Sequence, residues 1–103
     1  GSKDPLALFL LGWTAVLFAP LFEETIFRVA LLPVLAKRWG TAGGVLLSAL
    51  LFAMAYISIG ELAPLTVLGV GLALLRVSTG RLLPSVLMHA LWNAITFLNL
   101  LVL

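Results

Sequence analysis

The segment APLFEETIFRVALL, residues 19–32, lies inside an apolar stretch that runs from Leu6 to Ala36. Inside this segment, a window of six residues contains three ionisable side chains: Glu23, Glu24 and Arg28. One ionisable side chain at the centre of a membrane helix costs about 2.5–3.5 kcal/mol on insertion scales, and such residues commonly mark a functional site. The segment therefore predicts a membrane helix that carries a polar site.

Composition indicates an integral membrane protein. Of the 103 residues, 63% are hydrophobic and only 10% are charged, far from the usage of an ordinary soluble domain. The chain has no cysteine, which excludes disulfides, thiolate metal sites and a cysteine nucleophile. The net charge is only +2 and the basic residues are scattered, so no nucleic-acid partner is expected.

The chain is expected to be all-α, a polytopic transmembrane bundle of about four spans. Gly1-Ser2 is interpreted as a cloning scar, and residues 3–103 as one membrane domain excised from a longer protein. A span needs roughly 20 apolar residues. Charges and turn residues divide the chain into four stretches of about that length or more: 5–37, 42–59, 62–79 and 82–103.

The first stretch is too long for one straight span. Pro20 and Pro33 each lack a backbone N–H and are expected to bend or break a helix. Two alternatives follow: two helices that meet near Pro20, or one long tilted helix.

The connections are short, which places neighbouring helices antiparallel. Four basic residues then lie on one side of the membrane, which the positive-inside rule makes cytoplasmic, and Glu61 lies on the other. The four are Lys37, Arg38, Arg76 and Arg81. At a rise of about 1.5 Å per residue, the polar residues of the first and last stretches reach a similar depth. Small residues allow close helix approach there: Gly43, Gly44, Ser48, Gly69, Gly71 and Ala73.

Two pairs of polar residues have helical i, i+4 spacing. Glu24 and Arg28 share a helix face, so the guanidinium can hold that carboxylate ionised, while Glu23 is rotated about 100° away and stays free. His89 and Asn93 have the same spacing on the last stretch. Carboxylate, imidazole and amide together suffice to activate a water and stabilise an oxyanion.

These residues resemble the CPBP (Abi, CAAX protease and bacteriocin-processing) family of intramembrane proteases. Phe22-Glu23-Glu24-Thr25-Ile26-Phe27-Arg28 resembles its EExxxR motif, and His89-Ala90-Leu91-Trp92-Asn93 resembles its HxxxN motif. Phe52-Ala53-Met54-Ala55-Tyr56 takes the place of its FxxxH motif, with Tyr56 where the family has histidine. The resemblance covers nearly the whole chain and is closest to cyanobacterial and plastid members. It implies a bacterial inner membrane or a plastid-type membrane.

The resemblance implies an endopeptidase that hydrolyses peptide bonds of a membrane-associated peptide or protein. In that assignment Glu23 is the general base that activates water, and Glu24 and Arg28 orient the site. His89 and Asn93 would stabilise the tetrahedral oxyanion.

Two positions depart from the family pattern. The phenol of Tyr56 can form hydrogen bonds but is a poor base at neutral pH. Val29 stands where the family usually has glycine, and its branched side chain is expected to crowd a close helix approach. The alternative function is therefore a catalytically impaired or inactive membrane scaffold or binding protein, whether by natural divergence or by engineering.

Other interpretations remain open. Glu24 and Arg28 could form a purely structural ion pair, although a second adjacent carboxylate adds repulsion that such a pair does not need. A transporter or proton channel would also use intramembrane carboxylates. No cofactor is expected. A zinc site would have to use Glu23, Glu24 and His89, with Arg28 competing for a carboxylate. Besides the lipid bilayer, a homo-oligomer is a possible partner, through the glycine-rich second and third stretches.

Overall fold

The computed structural model describes residues 4–102, so the expected cloning scar at Gly1-Ser2 lies outside the described residues. The described part is helical, with five α-helices, two π-helical segments and one 3-10 turn. In chain order the elements are α1 (Pro5–Trp13), a π segment (Thr14–Phe18), α2 (Ala19–Glu24), a π segment (Thr25–Leu31), α3 (Leu32–Met54), a 3-10 turn (Ile59–Glu61), α4 (Leu62–Thr79) and α5 (Leu83–Val102).

Neither proline breaks the first helix, so the second of the two alternatives, one long helix, is the one observed. Each proline lies just beyond a π-helical segment, Thr14–Phe18 before Pro20 and Thr25–Leu31 before Pro33. A proline ring clashes with the carbonyl four residues earlier. The wider π turn relieves that clash, because its hydrogen bonds reach back five residues.

The chain reverses direction at Gly40. Its backbone angles, φ 78° and ψ 168°, lie outside the helical region although α3 is assigned continuously across it. A Cβ added to Gly44 would lie 2.7 Å from the Cα of Ala36. Residues eight apart in a straight helix are about 12 Å apart, so the two halves of α3 must fold back on each other. Glycine permits both the positive φ and the close approach.

By length and composition, the described residues form about three spans, where about four were expected. Among residues 4–102, three helical stretches are long and apolar enough to cross a bilayer: Pro5–Met54, Ile59–Thr79 and Leu83–Val102. The first of these includes the reversal at Gly40, and the predicted second stretch, 42–59, corresponds to its part after the reversal, which ends early, at Met54. After the reversal, residues 41–54 rise only about 20 Å, which is short of a hydrocarbon core of about 30 Å.

The second half of α3 packs against α4. Phe52, Ala53, Leu65, Leu68 and Leu72 form a buried cluster between them. A Cβ on Gly69 would lie 3.0 Å from the Cα of Ala49, so a small residue sets this close approach.

The molecule measures 48 × 28 × 16 Å, and large apolar side chains are exposed along all of its long helices. Such exposure is what a surface in contact with lipid requires. The long apolar helices and this surface identify an integral membrane protein.

Candidate active site

A buried ion pair joins two residues of the first helix. Glu24 ends α2 and Arg28 lies in the π segment that follows, with Nε 3.1 Å from Oε1 and both side chains fully buried. The contact has ion-pair distance, but its angle does not make a hydrogen bond, and neither Oε1 nor the guanidinium nitrogens have another hydrogen-bond partner among the described residues. The attraction between these two charges is therefore mainly electrostatic.

Aromatic rings complete the surroundings of the guanidinium. The Cζ atom of Arg28 lies 4.9 Å from the ring centroid of Phe52 and 5.9 Å from that of Phe27. The two rings meet edge to face at 5.5 Å. Cation–π attraction strengthens away from water, so these rings help to keep a charged side chain inside the protein.

The other oxygen of Glu24 binds the last helix. Its Oε2 lies 2.7 Å from Nδ1 of His89, which is also fully buried. The ring of His89 packs against Phe52 at 5.4 Å, edge to face. Glu24 is therefore held from two sides, by Arg28 and by His89.

Glu23 has a different environment. Its side chain is 31% exposed, and Oε1 lies 3.4 Å from Nε2 of His89. It lines a cavity of about 180 Å³ together with Phe27, Ala55 and Tyr56. The adjacent carboxylates thus differ, since one is buried and paired while the other faces a space that water can enter.

Tyr56 contacts both Glu23 and His89. Its hydroxyl donates to Oε1 of Glu23 at 2.9 Å and lies 3.4 Å from Nε2 of His89. The predicted second stretch placed Tyr56 within a helix, but it lies in the turn that follows Met54. Ile57, next to it, has φ 53°, a left-handed conformation that is strained for a β-branched residue.

Three polar residues four apart fasten α5 to the other helices. Ser85 donates to the carbonyl of Leu72 in α4 at 2.8 Å, and His89 contacts Glu24. Asn93 donates from Nδ2 to the carbonyl of Ala15 at 2.9 Å. All three face inward because i, i+4 and i+8 share one side of a helix.

The structure thus brings together five of the six residues singled out from the sequence: Glu23, Glu24, Arg28, Tyr56 and His89. The partner found for the sixth, Asn93, belongs to the first π segment and not to this group. Val29, which was expected to crowd a close approach, is instead 41% exposed on the outer surface, because its side chain points away from the neighbouring helices.

Sequence reasoning gave no role to Phe52 beyond its place in the motif. Its ring contacts His89, Arg28 and Phe27, and lies 5.3 Å from the ring of Tyr56. The sequence held a signal for this role, since Phe52 precedes Tyr56 by four residues, a spacing that places both on one face of the predicted helix.

Both oxygens of Glu24 and both ring nitrogens of His89 already face protein groups. Within residues 4–102, no group of three or more histidine or acidic side chains is arranged to hold a metal ion. Zinc binding by the alternative set of Glu23, Glu24 and His89 would therefore have to displace contacts that these side chains already make.

The arrangement can perform acid–base chemistry. It holds one accessible carboxylate and one imidazole whose Nε2 faces that carboxylate, and a buried acidic residue holds the opposite nitrogen. A carboxylate behind a histidine fixes the orientation of the ring. This pattern suits hydrolysis, in which a base must remove a proton from water while a donor stabilises the developing oxyanion.

Comparison with known proteins bears on this chemistry. No curated protein and no solved structure gives a significant match to the sequence. A family model described as type II CAAX prenyl endopeptidase Rce1-like matches residues 5–95, which include every residue of the site. The match extends over far more than half of the chain, and it suggests activity of the CAAX protease type. This integral membrane protein belongs to the Rce1-like family of type II CAAX prenyl endopeptidases, within the CPBP group that its motifs resemble.

Proposed function

We propose that the protein is an intramembrane endopeptidase that hydrolyses peptide bonds of a membrane-associated peptide or protein. The observation that carries the proposal is the difference between the two adjacent carboxylates. Glu23 is partly exposed to a cavity and faces His89, whereas Glu24 is fully buried and paired. A purely structural ion pair would need only Glu24 and Arg28.

Glu23 is the general base of this reaction. A water in the cavity beside Oε1 gives its proton to the carboxylate and attacks the scissile carbonyl carbon. The protonated Glu23 then returns the proton to the leaving amine as the C–N bond breaks. One carboxylate thus serves both steps, and no proton is left over.

His89 is the group that stabilises the oxyanion. Nδ1 of His89 lies 2.7 Å from Oε2 of Glu24, which fixes the ring so that Nε2 faces Glu23 and the neighbouring cavity. From that position Nε2 can present an N–H to the oxyanion as it develops.

Substitution of the base tests the proposal. Glu23→Gln removes the proton acceptor with almost no change in shape, and cleavage of a membrane-anchored peptide in proteoliposomes should fall by roughly a hundredfold or more. Glu61→Gln is the matched control, since it removes the same charge at an exposed position in the 3-10 turn. Full activity of Glu23→Gln would remove Glu23 from the reaction and overturn the proposal.

A second function, that of an impaired or inactive scaffold, is favoured by one observation. The hydroxyl of Tyr56 already donates to the oxygen of Glu23 that would accept a proton from water. It also lies near Nε2 of His89, the atom that would face the oxyanion. A hydroxyl held in this place competes with the water and with the substrate.

Replacement of this hydroxyl distinguishes the two functions. Tyr56→His restores the residue that the family motif has, and Tyr56→Phe removes the hydroxyl but keeps the ring. A gain of cleavage in either variant identifies a protease restrained by Tyr56. Wild-type activity that drops in Tyr56→Phe instead identifies Tyr56 as a working part of the site. No cleavage by any of the three proteins favours the scaffold.

The likeness of the motifs to those of cyanobacterial and plastid members supports a location in a bacterial inner membrane or a plastid-type membrane. The prenylated class of substrate comes to this chain through the description of its family. A paired assay of prenylated and unmodified forms of one peptide tests it directly.

A further inference from the structure

We propose that Asn93 is a positioning residue: it supplies to the carbonyl of Ala15 the N–H that Pro20 lacks, and so holds His89 against Glu24. This assignment differs from the oxyanion role that the family resemblance implies for Asn93. It rests on the hydrogen-bond register of the first π segment, which can be followed residue by residue.

At the end of that segment the backbone hydrogen bond reaches back five residues, as in a π turn. The N–H of Ala19 donates to the carbonyl of Thr14. The next bond of the series would run from residue 20 to the carbonyl of Ala15, but residue 20 is proline and has no N–H. The π register therefore leaves the carbonyl of Ala15 without a backbone donor.

Asn93 donates to that same carbonyl. Its Nδ2 lies 2.9 Å from the oxygen of Ala15, although 78 residues separate the two in the chain. An unpaired carbonyl inside a membrane protein is costly, because no water is available to replace the missing donor. A side chain from another helix is one of the ways in which such a group is satisfied.

The bond also places the catalytic histidine. Asn93 lies one helical turn after His89 on the same face of α5, and Ser85 lies one turn before it. Ser85 is fixed to α4 and Asn93 is fixed to the first helix. His89 is thereby held between two anchored turns, which sets its Nδ1 at 2.7 Å from Glu24.

The register makes a sharp test available, because the missing donor can be returned to the backbone. Pro20→Ala provides an N–H at residue 20. Whether that N–H continues the π register or the turn reverts to α geometry, the carbonyl of Ala15 regains a backbone donor. The need for Asn93 should then disappear.

The experiment measures Asn93→Leu, which keeps the side-chain size but has no donor, in the wild-type protein and in the Pro20→Ala variant. Thermal unfolding is followed by tryptophan fluorescence, since Trp13 and Trp92 lie beside the two ends of the bond. In the wild-type background, Asn93→Leu should lower the unfolding temperature by roughly 4–8 °C, the effect of one unsatisfied polar group in a domain of this size. In the Pro20→Ala background, the shift should be less than about half of that. Asn99→Ala, at an exposed position of the same helix, is the control and should have no effect in either background.

Cleavage supplies the second readout, and this part rests on the proposed function. In the wild-type background, Asn93→Leu should lower kcat by roughly tenfold with little change in KM, since a misplaced His89 weakens only the transition state. In the Pro20→Ala background, most of the activity should be retained. An oxyanion donor behaves differently, because its loss reduces kcat equally whichever residue stands at position 20.

The possible results distinguish the hydrogen bond, its positioning role and the proposed function. Equal unfolding shifts in the two backgrounds overturn the proposal, whether or not the protein cleaves anything. A different result is also possible: the unfolding shift depends on residue 20, but the loss of activity does not. That result would confirm the bond between Asn93 and Ala15 and would show that the bond does not position His89. If the wild-type protein shows no proteolysis, the proposed function fails, while the unfolding measurements still decide the bond between Asn93 and Ala15.

Discussion

Oε2 of Glu24 and Nδ1 of His89 lie 2.7 Å apart between fully buried side chains that are 65 residues apart in the chain. This contact joins the first helix to the last. It also leaves the neighbouring Glu23 as the only carboxylate of the pair that reaches a cavity.

Loss of the buried carboxylate should therefore destabilise the protein far more than loss of the exposed one. Glu24→Gln leaves the buried charge of Arg28 without its partner, and breaking such a pair costs about 3–5 kcal/mol. Glu23→Gln should cost less than about 1 kcal/mol. Denaturation of both variants under the same detergent conditions measures the difference. Similar losses for the two would show that Glu24 and Arg28 do not form a stabilising pair.

Phe52 should contribute more to stability than any exposed aromatic residue. Phe52→Leu removes the ring that packs on His89, Arg28 and Phe27, so we expect a loss of about 1–3 kcal/mol. Phe22→Leu, on the outer surface with 68% exposure, is the control and should change stability by less than about 0.5 kcal/mol. Equal effects of the two changes would mean that the aromatic cluster adds nothing beyond apolar burial.

The strained turn beside Tyr56 should be relieved by glycine. Ile57 has a positive φ and is 92% exposed, so Ile57→Gly removes strain without removing contacts and should stabilise the protein by about 1 kcal/mol. Ile59→Gly is the control: Ile59 is equally exposed but begins a 3-10 turn, and its replacement should bring no gain. A loss of stability in Ile57→Gly would contradict the strain.

The basic turns should face the cytoplasm or its equivalent. The chain has no cysteine, so a single introduced cysteine is the only site that a maleimide can label. Gly60→Cys and Ser78→Cys introduce one at exposed positions near the two opposite ends of α4. A membrane-impermeant maleimide should modify residue 60 in intact cells and residue 78 only after permeabilisation. The reverse pattern would invert the orientation.

Zinc is not expected to bind in stoichiometric amounts. Elemental analysis of the purified protein should find well under one zinc per chain, and a chelator should leave the unfolding temperature unchanged, since Glu24 and His89 are engaged with each other. One zinc per chain, lost in His89→Gln, would establish the alternative ligand set.

Local spacing predicted part of this site, and long-range geometry decided the rest. The pair of Glu24 and Arg28 follows from i, i+4 spacing within one helix, and equal depth in the membrane brought His89 to the same level. The turn at Tyr56 was not predictable, because apolar residues continue past Met54 and mark no helix end. The π-helical turn before Pro20 was not predictable from the sequence either, because the donor to the carbonyl of Ala15 comes from another helix.

The ion pair within the first helix has a consequence for biosynthesis. Glu24 and Arg28 are both present as soon as that helix emerges from the ribosome, some sixty residues before His89. The helix can therefore enter the membrane with these two charges already neutralised, and its insertion does not have to wait for a partner helix. Only when α5 arrives is the imidazole added, so the site is completed on a first helix that is already in place.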